Sequence, residues 1–313
     1  MAQVEYMSLN GKVVPTDEAR IHILSPAVKY GANVFEGIRG YWNAADNEMY
    51  VFRLTEHLER LRFSMKVMRF ADTYSVDYLQ QCIVELIKAN ELREDTYIRL
   101  FAYVDEPDGE MTAAAPSSMA IAATPKGRRE KAESGLNCAV SSWTRISDNA
   151  MPPRIKCVAN YNNGRLAWMQ AKADGYDNVI LLTQRGTVAE GPGACLFMVR
   201  DGIPTTSTVA SDILESITRG TVMQIFREYL GVDAVERDIG RTELYAAEEA
   251  FYCGTGHEIL PIVTIDRHAV GDGTVGALTQ TVNEKYQALV RGELSDHSEW
   301  RTPVYATASG VRA

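Results

Sequence analysis

Cysteine, histidine and long apolar runs are all scarce in this sequence, and each scarcity removes a class of function. The five cysteines, Cys82, Cys138, Cys157, Cys195 and Cys253, form no C-x-x-C pair and are odd in number. With five scattered histidines they suggest neither a zinc site nor a disulfide framework. Reduced, buried thiols in a cytoplasmic protein are expected instead. No segment approaches the ~20 apolar residues of a membrane span. The opening "MAQVEYMSLNGKVV" lacks the apolar core of a signal peptide, so export is not expected. Positive charge is short too. A net charge of −9 leaves no electrostatic footprint for nucleic acid or an anionic membrane. The sequence has no internal repeat and no low-complexity tract.

What remains is an ordinary folded composition, 46% hydrophobic and 23% charged over 313 residues, enough for two domains. Asn10-Gly11 is a hairpin signal. "ANVFEGIRGYW" reads as a strand with a central glycine, and "TEHLERLRFSMKVMRF" as a helix with Leu58, Leu61, Met65 and Met68 on one face. "DYLQQCIVELIKANEL" reads as a second helix, opened by an Asp77–Gln80 capping box. The strands "TYIRLFAYV" and "SSMAIAAT" follow. The polar stretch 125–135, bracketed by Pro125 and Gly135, is the interdomain linker candidate. The expected organisation is a small N-terminal domain over 1–124 and a large C-terminal domain over 136–313. The fold class is α+β, with mostly antiparallel strands and helices outside.

Chemistry concentrates in the second half. In "RIKCVANYNNGR", Lys156 interrupts an apolar run that reads as a short buried strand. A buried ammonium must pair, neutralise or react, unless it snorkels to solvent from an edge. Glu190 ends a short strand before the turn Gly191-Pro192-Gly193; a solvated rim residue is the alternative. "ESITRG" places Ser216 and Thr218 before an amphipathic helix, as plain caps or as a phosphate-binding helix start. Together a lysine, a carboxylate and such a helix start suit a phosphate-bearing cofactor.

In their order along the chain, "YGANVFEGIRGY", "HLERLR", "YIRL", "VSSW", "KCVANY", "AEGPGACLF", "ITRG" and "CGTGHEILP" resemble the branched-chain amino acid aminotransferases. These are fold type IV pyridoxal-phosphate enzymes. The fold also hosts D-amino acid aminotransferases, R-selective amine transaminases and aminodeoxychorismate lyases; a catalytically silent cofactor-binding protein is a further alternative. The resemblance implies that Lys156 is the Schiff-base lysine and proton shuttle, Glu190 the pyridinium partner, and Tyr161 the partner of the phenolic oxygen. It implies a phosphate cup of Arg60, Ile217, Thr218 and Thr255. On the substrate side it implies Tyr97, Arg99 and Arg39 at the carboxylate end, Phe35 and Tyr30 as a side-chain wall, and Gly256. It further implies a homodimer or a higher homo-oligomer acting on amino acids and keto acids.

Several positions depart from that family's pattern. Val158-Ala159 replaces two glycines, and Cys195 stands for an asparagine, which removes a polar hydrogen-bonding group. Glu215-Ser216 replaces Pro-Gly, with Glu215 expected to face outward. Gly256-His257 replaces two small residues, and the 105–116 loop is short.

Overall fold

The computed structural model describes residues 4–71 and 74–306, which form two units. Unit 1 comprises residues up to Gly127, Ile155–Ala159 and the chain from Ala288; unit 2 comprises Arg128–Arg154 and Asn160–Gln287. The boundary at Gly127 falls inside the expected linker. The second domain expected over 136–313 is interrupted, because residues 155–159 and 288 onward pack with unit 1.

Unit 1 opens with β1 (Tyr6–Leu9) and β2 (Lys12–Pro15). Positive φ at both Asn10 and Gly11 makes the tight turn between them. Then come α1 (Pro26–Lys29), β3 (Asn33–Asn43), β4 (Glu48–Phe52), α2 (Leu54–Val67), α3 (Val76–Ala89), β5 (Thr96–Val104) and β6 (Ser117–Pro125). Leu54, Leu58, Leu61 and Met65 form the fully buried stripe of α2. α3 begins earlier than the capping box suggested. Ser75 is its cap, accepting the Tyr78 N–H at 3.2 Å, while the Gln80 amide donates to Thr55.

β3 pairs with β5 over Asn33–Gly40 but with β4 only over Gly40–Asn43. The early part of its second edge is taken by the Lys156 segment. Phe35 N–H donates to Lys156 O at 2.9 Å, and Val34 bridges Cys157. The strand expected around Lys156 is therefore a single bridge, followed by a 3₁₀ turn over Val158–Asn160. Its ladder stops because Lys156 N–H turns to Ser64 Oγ at 3.2 Å instead of a second strand.

Unit 2 contains β7 (Leu136–Thr144), α4 (Tyr161–Ala173), β8 (Asn178–Leu182), β9 (Cys195–Arg200), β10 (Ile203–Thr206), α5 (Ile217–Tyr229), β11 (Val235–Glu236), β12 (Glu249–Gly254), β13 (Glu258–Ile265) and β14 (His268–Ala269). Its eight-stranded sheet is mixed, with parallel pairs at β7–β8, β7–β13 and β10–β11. α5 is seated on it by aromatics. Phe226 lies 6.0 Å from Phe197 and 6.4 Å from Phe251, which themselves stack at 5.3 Å. α6 (Ala277–Arg291) follows, and β15 (Arg301–Pro303) returns to unit 1 beside β4, completing an antiparallel seven-stranded sheet. Among the described residues, no helix is long and apolar enough to cross a membrane.

The C-terminal return is fastened by one carboxylate. Glu48 Oε1 accepts the N–H groups of Met49, Val304 and Tyr305 at 2.8, 3.0 and 2.7 Å, and Oε2 that of Ala306 at 2.6 Å. Glu48→Gln turns an amide NH₂ toward these donors. It should cost roughly 2–4 kcal/mol, read as a lowered urea midpoint; an unchanged midpoint would show the clamp contributes nothing.

Candidate active site

The predicted site residues lie in both units. In unit 1, cross-strand partners share a face of the sheet. The pairs Phe35↔Phe101, Gly37↔Arg99 and Arg39↔Tyr97 therefore bring Phe35, Arg39, Tyr97 and Arg99 onto one face of β3 and β5. Phe35 stacks on Phe101 at 6.0 Å, and Lys156 Nζ stands 5.2 Å from the Phe35 ring centroid. A Cβ at Gly37 would overlap the Tyr97 hydroxyl, so glycine is what lets that ring lie across β3. Tyr30 ends α1 and is 45% exposed, with the Lys29 ammonium over its ring.

Arg39 is 1% exposed, and its Nη2 donates to the carbonyls of Lys126 at 2.7 Å and Gly127 at 3.0 Å. Arg99 is exposed, with its guanidinium 5.6 Å from the Tyr97 ring.

The opposite face of β3 carries Glu36, fully buried. Arg60 forks onto it, Nε to Oε1 at 2.7 Å and Nη2 to Oε2 at 2.8 Å, and His57 Nδ1 meets Oε2 at 2.7 Å. Burial pushes the Glu36 carboxyl up, but the Arg60 charge and then His57 outweigh it and hold the group well below the usual range. Burial pushes His57 down and prevails over the attraction of Glu36, so the neutral ring donates its Nδ1–H. His57, Arg60 and Ser64 lie on one face of α2, and Ser64 is the partner of Lys156 N–H.

In unit 2, Glu190 is 4% exposed, unlike a rim residue. Arg145 binds its Oε1 through Nε at 3.0 Å and Nη2 at 2.9 Å. Leu214 N–H reaches both oxygens at 3.3 Å. Cys195 Sγ lies 3.7 Å from Oε2, so the cysteine keeps a weak donor at this position. Tyr161 opens α4, whose approach to the turn after Glu190 depends on Gly164, where a Cβ would stand 2.9 Å from Pro192 O. A Cβ on Gly193 would stand 3.7 Å from the Tyr161 ring and 3.8 Å from His257. Ser216 caps α5, and the hydroxyls of Thr218 and Thr255 converge at 3.5 Å beside that helix start, next to Ile217. Gly256 O accepts from Arg129 Nε at 3.2 Å. Glu215 turns to an ion pair with Arg154, half exposed.

Sequence reasoning missed Glu36, His57 and Arg145. Glu36 carried the signal that exposed Lys156, a charge inside an apolar strand, and His57 stands three residues before Arg60 on the same helix. Arg145 had no such mark.

A family model described as Amino-transferase class IV matches residues 33–265. A probable branched-chain-amino-acid aminotransferase of Aquifex aeolicus is 37% identical, covering 96% of this chain and 97% of the relative. The crystal structure of the branched-chain amino acid aminotransferase from Thermobaculum terrenum in its PLP form superposes with a TM-score of 0.91 at 40% identity, covering 98% of this chain and all of that one. The Thermoproteus uzoniensis branched-chain aminotransferase with norvaline gives 0.92 at 41% identity, covering 97% of this chain and 100% of that one.

The buried trio sets a pH dependence. Both Glu36 and His57 have depressed folded values, so each stabilises the fold above its unfolded value and that contribution is lost on acidification. The loss should begin below the ordinary histidine value of 6.5 and deepen below the ordinary glutamate value of 4.5. Between pH 6.5 and 5.5 the parent should lose about 1 kcal/mol by urea titration, and His57→Gln, which keeps a donor but cannot titrate, should lose less. Equal slopes would remove His57 from this role.

Proposed function

The chain belongs to the class IV aminotransferases, and from that membership we propose that it transfers the amino group of an L-branched-chain or similar hydrophobic amino acid to 2-oxoglutarate, with pyridoxal phosphate as cofactor. The observation that carries the reading is Glu190, a buried carboxylate fixed by Arg145, Leu214 N–H and Cys195. The donor set fits the cofactor. A dianionic phosphate suits two hydroxyls and the start of a 13-residue helix, and a protonated pyridine nitrogen suits a carboxylate surrounded by donors. Bound pyridoxal phosphate supplies an aldehyde that condenses with amines and a ring that delocalises the electron pair left at the substrate Cα.

The chain's residues do the rest. Lys156 Nζ would hold the cofactor and would take the proton released at the substrate Cα. Its Nζ stands over the Phe35 ring, 5.2 Å from the centroid, on the face of β3 that also carries Arg39. Glu190 holds the ring nitrogen's proton, and Arg145 keeps its carboxylate oriented. Tyr161 donates to the phenolic oxygen, and Ile217, Thr218, Thr255 and Arg60 bind phosphate. Arg60 already commits Nε and Nη2 to Glu36, which fixes its guanidinium plane. Tyr97 and Arg99 bind the substrate carboxylate, and the exposed Arg99 favours an amino acid over a simple amine. Exposed Ile23, Leu24, Val28 and Met111 support a homodimer, and five buried free cysteines support the cytoplasm.

The purified protein should be yellow. Lys156→Ala should lower turnover at least about 100-fold and remove the lysine-dependent visible absorbance; transamination at the parent rate would sink the assignment. Glu190→Gln should lower kcat by roughly 10²–10³ while cofactor affinity, measured by dialysis and rebinding, changes little. An unchanged kcat would return Glu190 to a structural role.

A further inference from the structure

One residue just before α5 is gripped at both of its backbone polar groups. Leu214 lies two residues before Ser216, the cap of α5. Its N–H stands 3.3 Å from each oxygen of Glu190, and its carbonyl oxygen stands 3.5 Å from Cys195 Sγ. The same thiol lies 3.7 Å from Glu190 Oε2, so the three residues close a ring of contacts within unit 2. Two members of that ring are fixed by other elements. Cys195 is 2% exposed and belongs to β9, where its Cα partner is Cys253 of β12, and Arg145 holds Glu190 through Oε1. The third member, Leu214, lies on the loop that delivers the first N–H groups of α5.

Two of the departures from the family's pattern meet at this loop. Cys195 stands for an asparagine, and Glu215-Ser216 stands for Pro-Gly. Without a proline ring the backbone before the cap is not preset, and the loop takes its restraint from side chains. The outer restraint is weak. Glu215 pairs with Arg154, but the two side chains are 51% and 38% exposed. The inner restraint is made by a buried thiol, in surroundings that strengthen a hydrogen bond. We propose that Cys195 is a positioning residue for the cofactor. By holding Leu214, it keeps the carboxylate that serves the pyridine nitrogen in register with the helix start that serves the phosphate. The proposal rests on the aminotransferase reading for what the two ends bind, and on the ring of contacts alone for their connection.

The test measures cofactor affinity on the full-length protein by dialysis and rebinding, with pyridoxal phosphate and with pyridoxal, which lacks the phosphate. Cys195→Ala should weaken pyridoxal phosphate by about 3–10-fold and leave pyridoxal unchanged, because only the phosphate depends on where α5 begins. Cys195→Ser, whose hydroxyl keeps a donor, should restore most of the preference for the phosphate form, a result that general damage to the fold would not give. Cys253→Ala takes the same sulfur from the Cα partner across the sheet and should leave the preference at the parent value. Equal weakening of both ligands, no weakening of either, no recovery with serine, or the same change in the Cys253 variant would overturn the role of Cys195. A parent that binds pyridoxal phosphate in this Cys195-dependent way yet converts no branched-chain donor would overturn the substrate reading and leave this assignment standing. A parent that binds no pyridoxal phosphate would overturn both.

Discussion

The fully buried carboxylate of Glu36 is the constraint on which unit 1 turns. A lone carboxylate inside a sheet–helix layer would be untenable, so the Arg60 fork and the neutral His57 must come with it. That requirement fixes the rotation of α2 about its axis. Leu58, Leu61 and Met65 enter the core, while His57, Arg60 and Ser64 are turned to β3. Ser64 then accepts the N–H of Lys156, and Phe35, beside Glu36, donates to the Lys156 carbonyl. The backbone of the central lysine is thus held at both its polar groups, once through the helix that neutralises Glu36 and once through the strand that carries it.

Unit 2 uses the same device with different parts. Arg145 and Glu190 are both buried, and the pair is tolerable because each finds further partners. Leu214 N–H and Cys195 Sγ join on the carboxylate, and Asn163 Oδ1 accepts from Arg145 Nη1 at 3.4 Å. The stacked phenylalanines hold α5 against β9 and β12, and so settle where its first N–H groups point. In both units a residue expected at the site, Arg60 or Glu190, is also held in a structural ion pair.

This double use explains where residue-by-residue expectation and structure part. Arg60 and Arg39 both read as ligand-binding arginines. In the fold, Arg60 spends two of its nitrogens on Glu36, and Arg39 spends Nη2 on two backbone carbonyls. Tyr30, grouped with Phe35 from the motif, stands exposed at the end of a one-turn helix. Nothing in the polar stretch "TPKGRR" indicates that the Lys126 ammonium rests on a ring contributed by a neighbouring strand.

Local physics was legible without coordinates. Asn10-Gly11 dictates a tight hairpin, since both residues tolerate positive φ, and Ser216 and Gly231 bound α5 by cap chemistry and a left-handed residue. "TYIRLFAYV" reads as the strand that forms β5, and the ordered motifs carry the resemblance to the family. Tertiary structure alone decided which charges meet. Glu36 and Arg60, Arg145 and Glu190, and Arg39 and the chain at Lys126 are separated by 24, 45 and 87 residues. Periodicity describes neighbours along one strand or helix, whereas a buried charge chooses its partner among all the elements that pack against it.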